Sequence, residues 1–120
     1  MMKRILVVDD EEDILKEVTF ILRKKGFEVL CAADGKEALE IATQQNPDLI
    51  LLDLFLPIFD GTVVGKRLKT SDAFKHIPII LLTASADNIE EKRDECMADD
   101  YILKPFDYKE LLEKLSKFLS

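Results

Sequence analysis

The sequence predicts an α/β domain built on a mostly parallel β-sheet. Five short apolar runs alternate with five segments of helical spacing along the 120 residues, and no hairpin turn signal joins any two of the runs. Several of these runs are continuously apolar, which is typical of strands buried on both faces. We therefore expect one domain over residues 1–120, long enough to bury a core.

The first half of the chain contains three predicted strands and two predicted helices. The runs RILVV, FEVLCA and LILLD are apolar and rich in branched side chains, as strands are. The first helix has an apolar face, and Gly26 is its expected C-terminal cap. Asp34 is the expected N-cap of the second helix, which must stop before Pro47. The predicted elements are strand 4–8, helix 12–25, strand 27–32, helix 35–45 and strand 49–53.

The second half continues the alternation, with one atypical helix. The turn-like segment LPIFDG precedes a helix, IPIILLT and DYILK are the remaining strands, and the closing helix has an apolar face of leucines. The helix at 86–99 has few apolar anchors, so it gains little from packing and is expected to be the loosest segment. The predicted elements are helix 62–70, strand 77–83, helix 86–99, strand 100–104 and helix 107–119.

Composition and charge exclude several classes of protein. The formal charge of −7, with no basic cluster to offset it, argues against nucleic-acid binding and against an anionic membrane surface as partners. The two cysteines form no disulfide framework or metal motif, and Cys31 is expected to be a small buried apolar residue. No apolar run reaches the roughly 18 residues of a membrane span, and no signal peptide is evident, so the cytoplasm is the expected location.

Polar side chains follow four of the five predicted strands. Asp9 and Asp10 follow the first strand, Asp53 ends the third, Thr83 ends the fourth and Lys104 ends the fifth. Ligands of an open parallel sheet bind at the carboxyl ends of its strands, so these side chains are expected to meet at one edge. Clustered carboxylates suit Mg²⁺, and a neighbouring Lys and hydroxyl suggest phosphoryl transfer, with Asp53 as a candidate acceptor.

The same residues carry a family resemblance. The stretches VVDDEED, LILLDLFLPIFDG, PIILLTA and DDYILKPF resemble the motifs of the receiver domain of bacterial two-component response regulators, and they occur in the expected order. The resemblance covers the whole chain, 1–120. It implies a flavodoxin-like, doubly wound (βα)5 fold with strand order 2-1-3-4-5 and helices on both faces of the sheet.

The resemblance also implies roles for the residues of the predicted site. Asp53 would be the phosphoacceptor. Asp10, Asp53 and the backbone carbonyl of Phe55 would bind Mg²⁺, or Mn²⁺ in its place, and Asp9 would act mainly through water. Lys104 would pair first with Asp53 and then with the phosphoryl oxygens. The phosphoryl donor would be a sensor histidine kinase or a histidine phosphotransfer protein, and the output would be a downstream target protein or effector domain.

The resemblance further implies a conformational switch. Thr83 and Tyr101 match the switch pair, which would alter the surface of the fourth helix, fifth strand and fifth helix. Lys104-Pro105 matches a cis peptide bond at the cis-proline Pro105. One departure is Met97, which stands where the family usually has Gly. Without Gly, a left-handed exit from the fourth helix is costly, so this helix is expected to end differently.

Two positions are expected to set the lifetime of an aspartyl phosphate. Phe55 lies two residues after Asp53, and Ser85 lies two residues after Thr83, so both should lean over the site. A bulky Phe55 would obstruct an attacking water, and Ser85 is too short to orient one well. We therefore expect slower self-hydrolysis than in a Phe55→Asn variant.

Alternative interpretations remain open at this point. Asp9 and Asp10 could simply cap the first helix. A phosphohydrolase of the haloacid-dehalogenase kind would need an acid where Phe55 stands, whereas a phosphorylation-independent docking module would keep the fold alone. Glu110 and Lys114 could pair within one helix or across a dimer. The C-terminal KLSKFLS lacks linker composition, which slightly favours a free-standing receiver over a relay intermediate or part of a longer regulator.

Overall fold

The computed structural model describes residues 2–119, and its central element is a five-stranded parallel sheet. Its strand order is β2-β1-β3-β4-β5, which confirms the predicted doubly wound fold. The strands are β1 (Arg4–Val8), β2 (Glu28–Ala32), β3 (Leu49–Leu52), β4 (Ile79–Thr83) and β5 (Asp100–Leu103).

Five helices cover the two faces of this sheet. The helices are α1 (Glu12–Lys24), α2 (Gly35–Gln45), α3 (Gly61–Lys69), α4 (Ile89–Cys96) and α5 (Tyr108–Leu119). Helices α1 and α5 pack on one face, and α2, α3 and α4 pack on the other. None of the helices within residues 2–119 is long and apolar enough to cross a membrane.

The inner strands send alternate side chains into two separate cores. Ile5 and Val7 of β1 pack in the core beneath α1 and α5, whereas Leu6 and Val8 pack in the core beneath α2, α3 and α4. Strands β3 and β4 are buried along their whole length, which explains why their sequences are continuously apolar. Burial on both faces holds the carboxyl ends of these strands in fixed positions.

The edge strand β2 overturns one prediction from the sequence. Cys31 is exposed, with its sulfur 3.3 Å from the hydroxyl oxygen of Thr19, and is not a buried residue. Within residues 2–119, β2 pairs with β1 alone, so it lies at the edge of the sheet, and its buried residues are Val29 and Ala32. A short apolar run does not by itself reveal which strand lies at the edge of the sheet.

Two predicted helix ends are confirmed by hydrogen bonds. The carboxylate of Asp34 accepts from the amide of Glu37 at 2.7 Å, as expected of an N-cap. Gly26 follows α1 with a φ of 92° and donates to the carbonyl of Arg23.

Lys114 of α5 donates to Asp100 at 3.1 Å rather than pairing with a residue of its own helix.

Helix α4 differs most from its prediction. It spans eight residues, and Cys96 is its buried side chain. Met97 ends it in the left-handed conformation, with a φ of 57°. The expectation that α4 avoids a left-handed exit is therefore wrong. The Met97 and Ala98 amides donate to the carbonyls of Asp94 and Arg93, so helix-terminal hydrogen bonds accompany the unfavourable backbone angle.

Candidate functional site

The predicted side chains meet at the carboxyl edge of the sheet. Asp9 follows β1, Asp53 follows β3, Thr83 ends β4 and Lys104 follows β5. Strand pairing continues past the strand ends, because the amide of Asp53 donates to the Val8 carbonyl at 2.9 Å and that of Lys104 to Thr83 at 2.9 Å. Within residues 2–119 the buried polar side chains are Asp9, Asp53 and Thr83, and all of them lie at this edge. Buried polar groups are costly, so their concentration here indicates a functional site.

Three carboxylates form the centre of this site. One oxygen from each of Asp9, Asp10 and Asp53 lies within 4.8 Å of the other two. Asp9 and Asp53 are buried, while Asp10 is exposed and gives the cluster an open side. Hard carboxylate oxygens at this spacing match the ligands of Mg²⁺, which keeps several waters and uses few protein ligands. The donor set therefore fits a magnesium ion.

Asp9 is the carboxylate most occupied by protein contacts. One of its oxygens accepts from the amide of Glu11 at 2.9 Å, at the entrance to α1, and the other accepts from Nζ of Lys104. Asp9 does not cap α1 as considered from the sequence, because Glu11 is the N-cap and no side chain among residues 2–119 makes a capping hydrogen bond there. Because both of its oxygens have protein partners, Asp9 is less available than the exposed Asp10 as a direct metal ligand.

Lys104 lies between two carboxylates rather than facing only the predicted one. Its Nζ contacts Asp9 directly and lies 3.7 Å from Asp53. Burial by itself lowers the pKa of Lys104, but the hydrogen bond that it donates to Asp9 and the negative charges of Asp53 and Asp9 outweigh this effect, so the pKa is raised. Lys104 is therefore a fixed positive charge within the site. The Lys104-Pro105 peptide bond is cis, as predicted.

Asp53 combines burial with an incompletely balanced charge. The residue is 7% exposed, and this burial raises the pKa of its carboxyl group above the ordinary value. The charge of Lys104 and the amides of Leu54 and Phe55 lower the pKa, while the charge of Asp9 raises it further. The net effect is a raised pKa, so the ionised carboxylate would gain from an additional cation.

Thr83 and Tyr101 occupy neighbouring strands at the α4 side of the site. Thr83 is buried, and its hydroxyl oxygen accepts from the amide of Ser85 at 3.4 Å. Tyr101 is half-buried and packs at the margin of the core that also contains Ile89 of α4. The carboxylate of Glu90 faces the Tyr101 hydroxyl and raises its pKa. The Tyr101 side chain therefore lies beside α4.

The rim of the site contains a residue that the sequence reasoning missed. Phe55 is 60% exposed and Ser85 is half-buried. Lys92 of α4 donates to the Ser85 hydroxyl at 2.9 Å, and its Nζ lies 5.4 Å from the centre of the Phe55 ring. Lys92 sits in an acidic helix with little apolar character, and nothing in its spacing pointed to the site.

The fold and this site define a class of protein, and comparison with known proteins gives the same class. The family model of the response regulator receiver domain matches residues 5–116. The chain belongs to this family, whose members are signalling switches in two-component systems.

Individual relatives agree with the family assignment. The chain is 41% identical over 120 residues to the alkaline phosphatase synthesis transcriptional regulatory protein PhoP of Bacillus subtilis, covering 99% of this chain and 49% of that protein. It thus spans about half the length of that curated relative.

Solved structures match nearly the whole chain. A response regulator from Chloroflexus aurantiacus superposes with a TM-score of 0.93 at 34% identity, covering 99% of this chain and 98% of that one. The response regulator TrrA of Thermotoga maritima, solved in complex with Mg²⁺-BeF, has a TM-score of 0.88 at 38% identity and covers 98% of this chain and 100% of its own.

Proposed function

We propose that Asp53 accepts a phosphoryl group from the phosphohistidine of a sensor histidine kinase or a histidine phosphotransfer protein. The observation that carries the proposal is the buried Asp53 carboxylate, whose pKa is raised and which lies 3.7 Å from Nζ of Lys104. In the transfer, an O–P bond to Asp53 forms as the N–P bond of the donor breaks. The electron pair of the broken bond stays on the leaving imidazole nitrogen.

Asp10 and Asp53, with the backbone carbonyl of Phe55, would hold Mg²⁺ or Mn²⁺, and Asp9 would act through water. This assignment is supported by the cluster of three carboxylates and by the two protein contacts of Asp9. When bound, the ion neutralises charge on the phosphoryl oxygens. TrrA, the relative from Thermotoga maritima, is described in complex with Mg²⁺-BeF, which adds support.

Lys104 would hold the new phosphoryl group by charge. Its Nζ already lies between Asp9 and Asp53, so it needs only a small movement to reach oxygens attached to Asp53. Its raised pKa keeps it protonated throughout the working pH range. Lys104 is therefore a stabiliser of the transferred group rather than a proton donor.

Thr83 and Tyr101 would carry the change to the output surface. The Thr83 hydroxyl would donate to a phosphoryl oxygen, and the space left by its reorientation would admit the Tyr101 ring. This rearrangement is a shift between two packings, and phosphorylation favours one of them. The contacts of Tyr101 with α4 support the route, and the altered surface of α4, β5 and α5 would control a partner protein or effector domain.

The phosphorylated state would end by slow self-hydrolysis in the cytoplasm. Water would attack phosphorus, release inorganic phosphate and regenerate the Asp53 carboxylate. Phe55 and Ser85 would slow this reaction, because neither side chain can orient an attacking water by ionic contact. We therefore expect no sustained turnover of added phosphoesters, in contrast with a phosphohydrolase.

The proposal is tested by incubating the protein with acetyl phosphate and Mg²⁺ and recording its intact mass. A gain of one phosphoryl group is expected in the wild type, and none is expected when EDTA replaces the metal. Asp53→Asn, which keeps the shape of the side chain, should gain nothing. A gain in that variant would contradict the assignment of Asp53, and no gain in the wild type would favour a docking module that does not depend on phosphorylation.

A further inference from the structure

Lys92 joins three separate segments across the rim of the site. It lies on α4, its Nζ donates to Ser85 in the loop after β4, and it sits over the ring of Phe55 in the loop after β3. The distances are 2.9 Å to the Ser85 oxygen and 5.4 Å to the ring centre. The first distance is that of a hydrogen bond, and the second is that of a cation–π contact.

The position of Lys92 is notable because its charge is not matched by an acid. Within residues 2–119, none of the ion pairs with a nitrogen–oxygen distance up to 4.0 Å includes Lys92. Its own helix offers acidic side chains at Glu90, Glu91, Asp94 and Glu95. Lys92 instead turns towards the hydroxyl and the aromatic ring at the rim. Lys92 is half-buried, and its ammonium group contacts the Ser85 hydroxyl and the Phe55 ring.

The contact is linked to the residues proposed to react. The amide of Ser85 donates to Thr83, and the amide of Phe55 is directed at the carboxylate of Asp53. Phe55 and Ser85, the two residues that Lys92 contacts, thus lie two positions after Asp53 and Thr83 respectively and are linked to them through their backbone amides.

We propose that Lys92 is a positioning residue that closes Phe55 and Ser85 over the phosphorylation site and prolongs the aspartyl phosphate. The inference rests on the proposed phosphorylation of Asp53. Lys92 takes no part in the transfer itself. It acts by holding the Phe55 ring and the Ser85 hydroxyl together, so that water enters the site less often.

We call the contact of Lys92 with Phe55 and Ser85 the cover. It also couples the lifetime of the aspartyl phosphate to helix α4. Because Lys92 belongs to α4, a displacement of that helix large enough to separate Lys92 from Ser85 and Phe55 would open the rim. These contacts must therefore persist when Thr83 and Tyr101 rearrange. A partner that holds α4 in the position seen here would slow hydrolysis, and by linkage the closed cover would favour that partner. The size of the effect is limited, since exposed cation–π contacts and hydrogen bonds to hydroxyls are individually weak.

The test compares decay rates of phosphorylated variants after the donor has been removed. Wild type, Lys92→Met and Lys92→Arg are phosphorylated with acetyl phosphate and Mg²⁺, desalted, and followed by intact mass. Lys92→Met should decay about threefold faster than wild type, the factor expected for losing one weak contact. Lys92→Arg should restore slow decay, because a guanidinium can both donate to Ser85 and stack on Phe55.

Two further variants separate a cover from a general effect of charge. Lys75→Met removes a lysine that pairs with Asp72 before β4, at the opposite edge of the sheet, and should decay like wild type. Ser85→Ala keeps every charge but removes the anchor of Lys92, and should decay faster than wild type. Fast decay of Lys92→Met with wild-type decay of Ser85→Ala would assign the effect to charge alone and overturn the cover.

The remaining outcomes distinguish the inference from the proposed function. Equal decay of Lys92→Met and wild type would overturn the cover and leave phosphorylation of Asp53 standing. A wild type that gains no phosphoryl group under these conditions would overturn both. In a Phe55→Leu background the substitution Lys92→Met should have a smaller effect than in the wild type, and full additivity would contradict the contact between the two side chains.

Discussion

The carboxyl edge at β1 and β3 and the helix α4 lie side by side but are built in different ways. The edge is the end of strands that are buried on both faces, and its polar groups are fixed by backbone pairing and by Lys104. Helix α4 is eight residues long, buries Cys96, and is flanked by left-handed residues at Asn88 and Met97. One region is held by the core, and the other is held mainly by a few contacts at its ends.

This difference suits a switch. A site that transfers a phosphoryl group must hold its charged groups in place, because misplacement weakens both transfer and stabilisation. A segment that passes the effect of phosphoryl transfer to a partner must change position at small energetic cost, and such segments come from the least stable parts of a fold. The contacts of Tyr101 and Lys92 join the rigid region to the loosely held one.

Truncating matched isoleucines should show the largest contrast. Ile50 is fully buried in β3, whereas Ile89 of α4 is half-buried. Ile50→Ala should lower the free energy of unfolding by about 3 kcal/mol because it leaves a cavity in a packed core. Ile89→Ala should cost less than about 1 kcal/mol, since the helix can relax around the missing atoms. Urea denaturation of both variants checks the difference, and equal losses would contradict it.

Gly65 of α3 controls how closely α4 approaches. A Cβ atom at Gly65 would lie 2.1 Å from the carbonyl oxygen of Cys96. Gly65→Ala should therefore cost about 2 kcal/mol through overpacking. It should also speed hydrogen exchange in α4 while leaving β1 and β3 protected. The exposed neighbour Lys66→Ala is the control and should change stability by less than about 0.5 kcal/mol. Uniformly faster exchange throughout the sheet would argue against a local effect.

Removing the charge of Asp53 should stabilise the metal-free protein. Burial raises the pKa of Asp53, so the folded state disfavours the ionised carboxylate. Asp53→Asn should raise the free energy of unfolding by about 1 kcal/mol at neutral pH. The gain should be complete above the raised pKa and vanish below the ordinary value, where the carboxyl is protonated in both states. Thermal or urea unfolding across pH in EDTA checks the sign.

The control for this prediction is Asp10→Asn at the exposed carboxylate of the cluster. Removing one of three neighbouring charges there should stabilise less, because Asp10 keeps its contact with solvent. A larger gain for Asp10→Asn than for Asp53→Asn would contradict the importance of burial. Added Mg²⁺ should stabilise the wild type more than either variant.

The smallest effect is expected at the end of α4. Met97 is left-handed, a conformation that costs little for Gly and more for other residues. Met97→Gly should increase the free energy of unfolding by about 0.5 kcal/mol, after the greater entropy of Gly in the unfolded chain is counted. Glu95→Gly, within the helix, should instead lower it by about 1 kcal/mol. A destabilised Met97→Gly would show that the Met97 side chain contributes more than its backbone costs.

The sequence predicted the sheet and its carboxyl edge well because both depend on local patterns. An apolar run that ends in an acid indicates both a buried strand and the polar group that follows it. This pattern occurs at Val8-Asp9 and Leu52-Asp53. Once the strands are parallel, topology brings those groups to one edge. The cluster of Asp9, Asp10 and Asp53 follows from this arrangement of strand ends.

Other features could not be predicted because they depend on tertiary contacts. Helix α4 was predicted over 86–99 but spans Ile89–Cys96, because weak apolar spacing gives poor helix ends. The exposure of Cys31 follows from the position of β2 at the sheet edge, which periodicity does not reveal. Lys104 contacts Asp9, and Lys92 contacts Ser85. No pattern in the sequence links the two residues of either pair.

The most direct test of the account is to locate the phosphoryl group chemically. After phosphorylation with acetyl phosphate and Mg²⁺, borohydride reduces an aspartyl phosphate to homoserine, and peptide mass spectrometry reads the position of the change. Phosphorylation of Asp53 should give homoserine at position 53 and leave aspartate unmodified at positions 9 and 10. Homoserine at either of those positions, or unmodified Asp53 in protein that has gained phosphate, would contradict it.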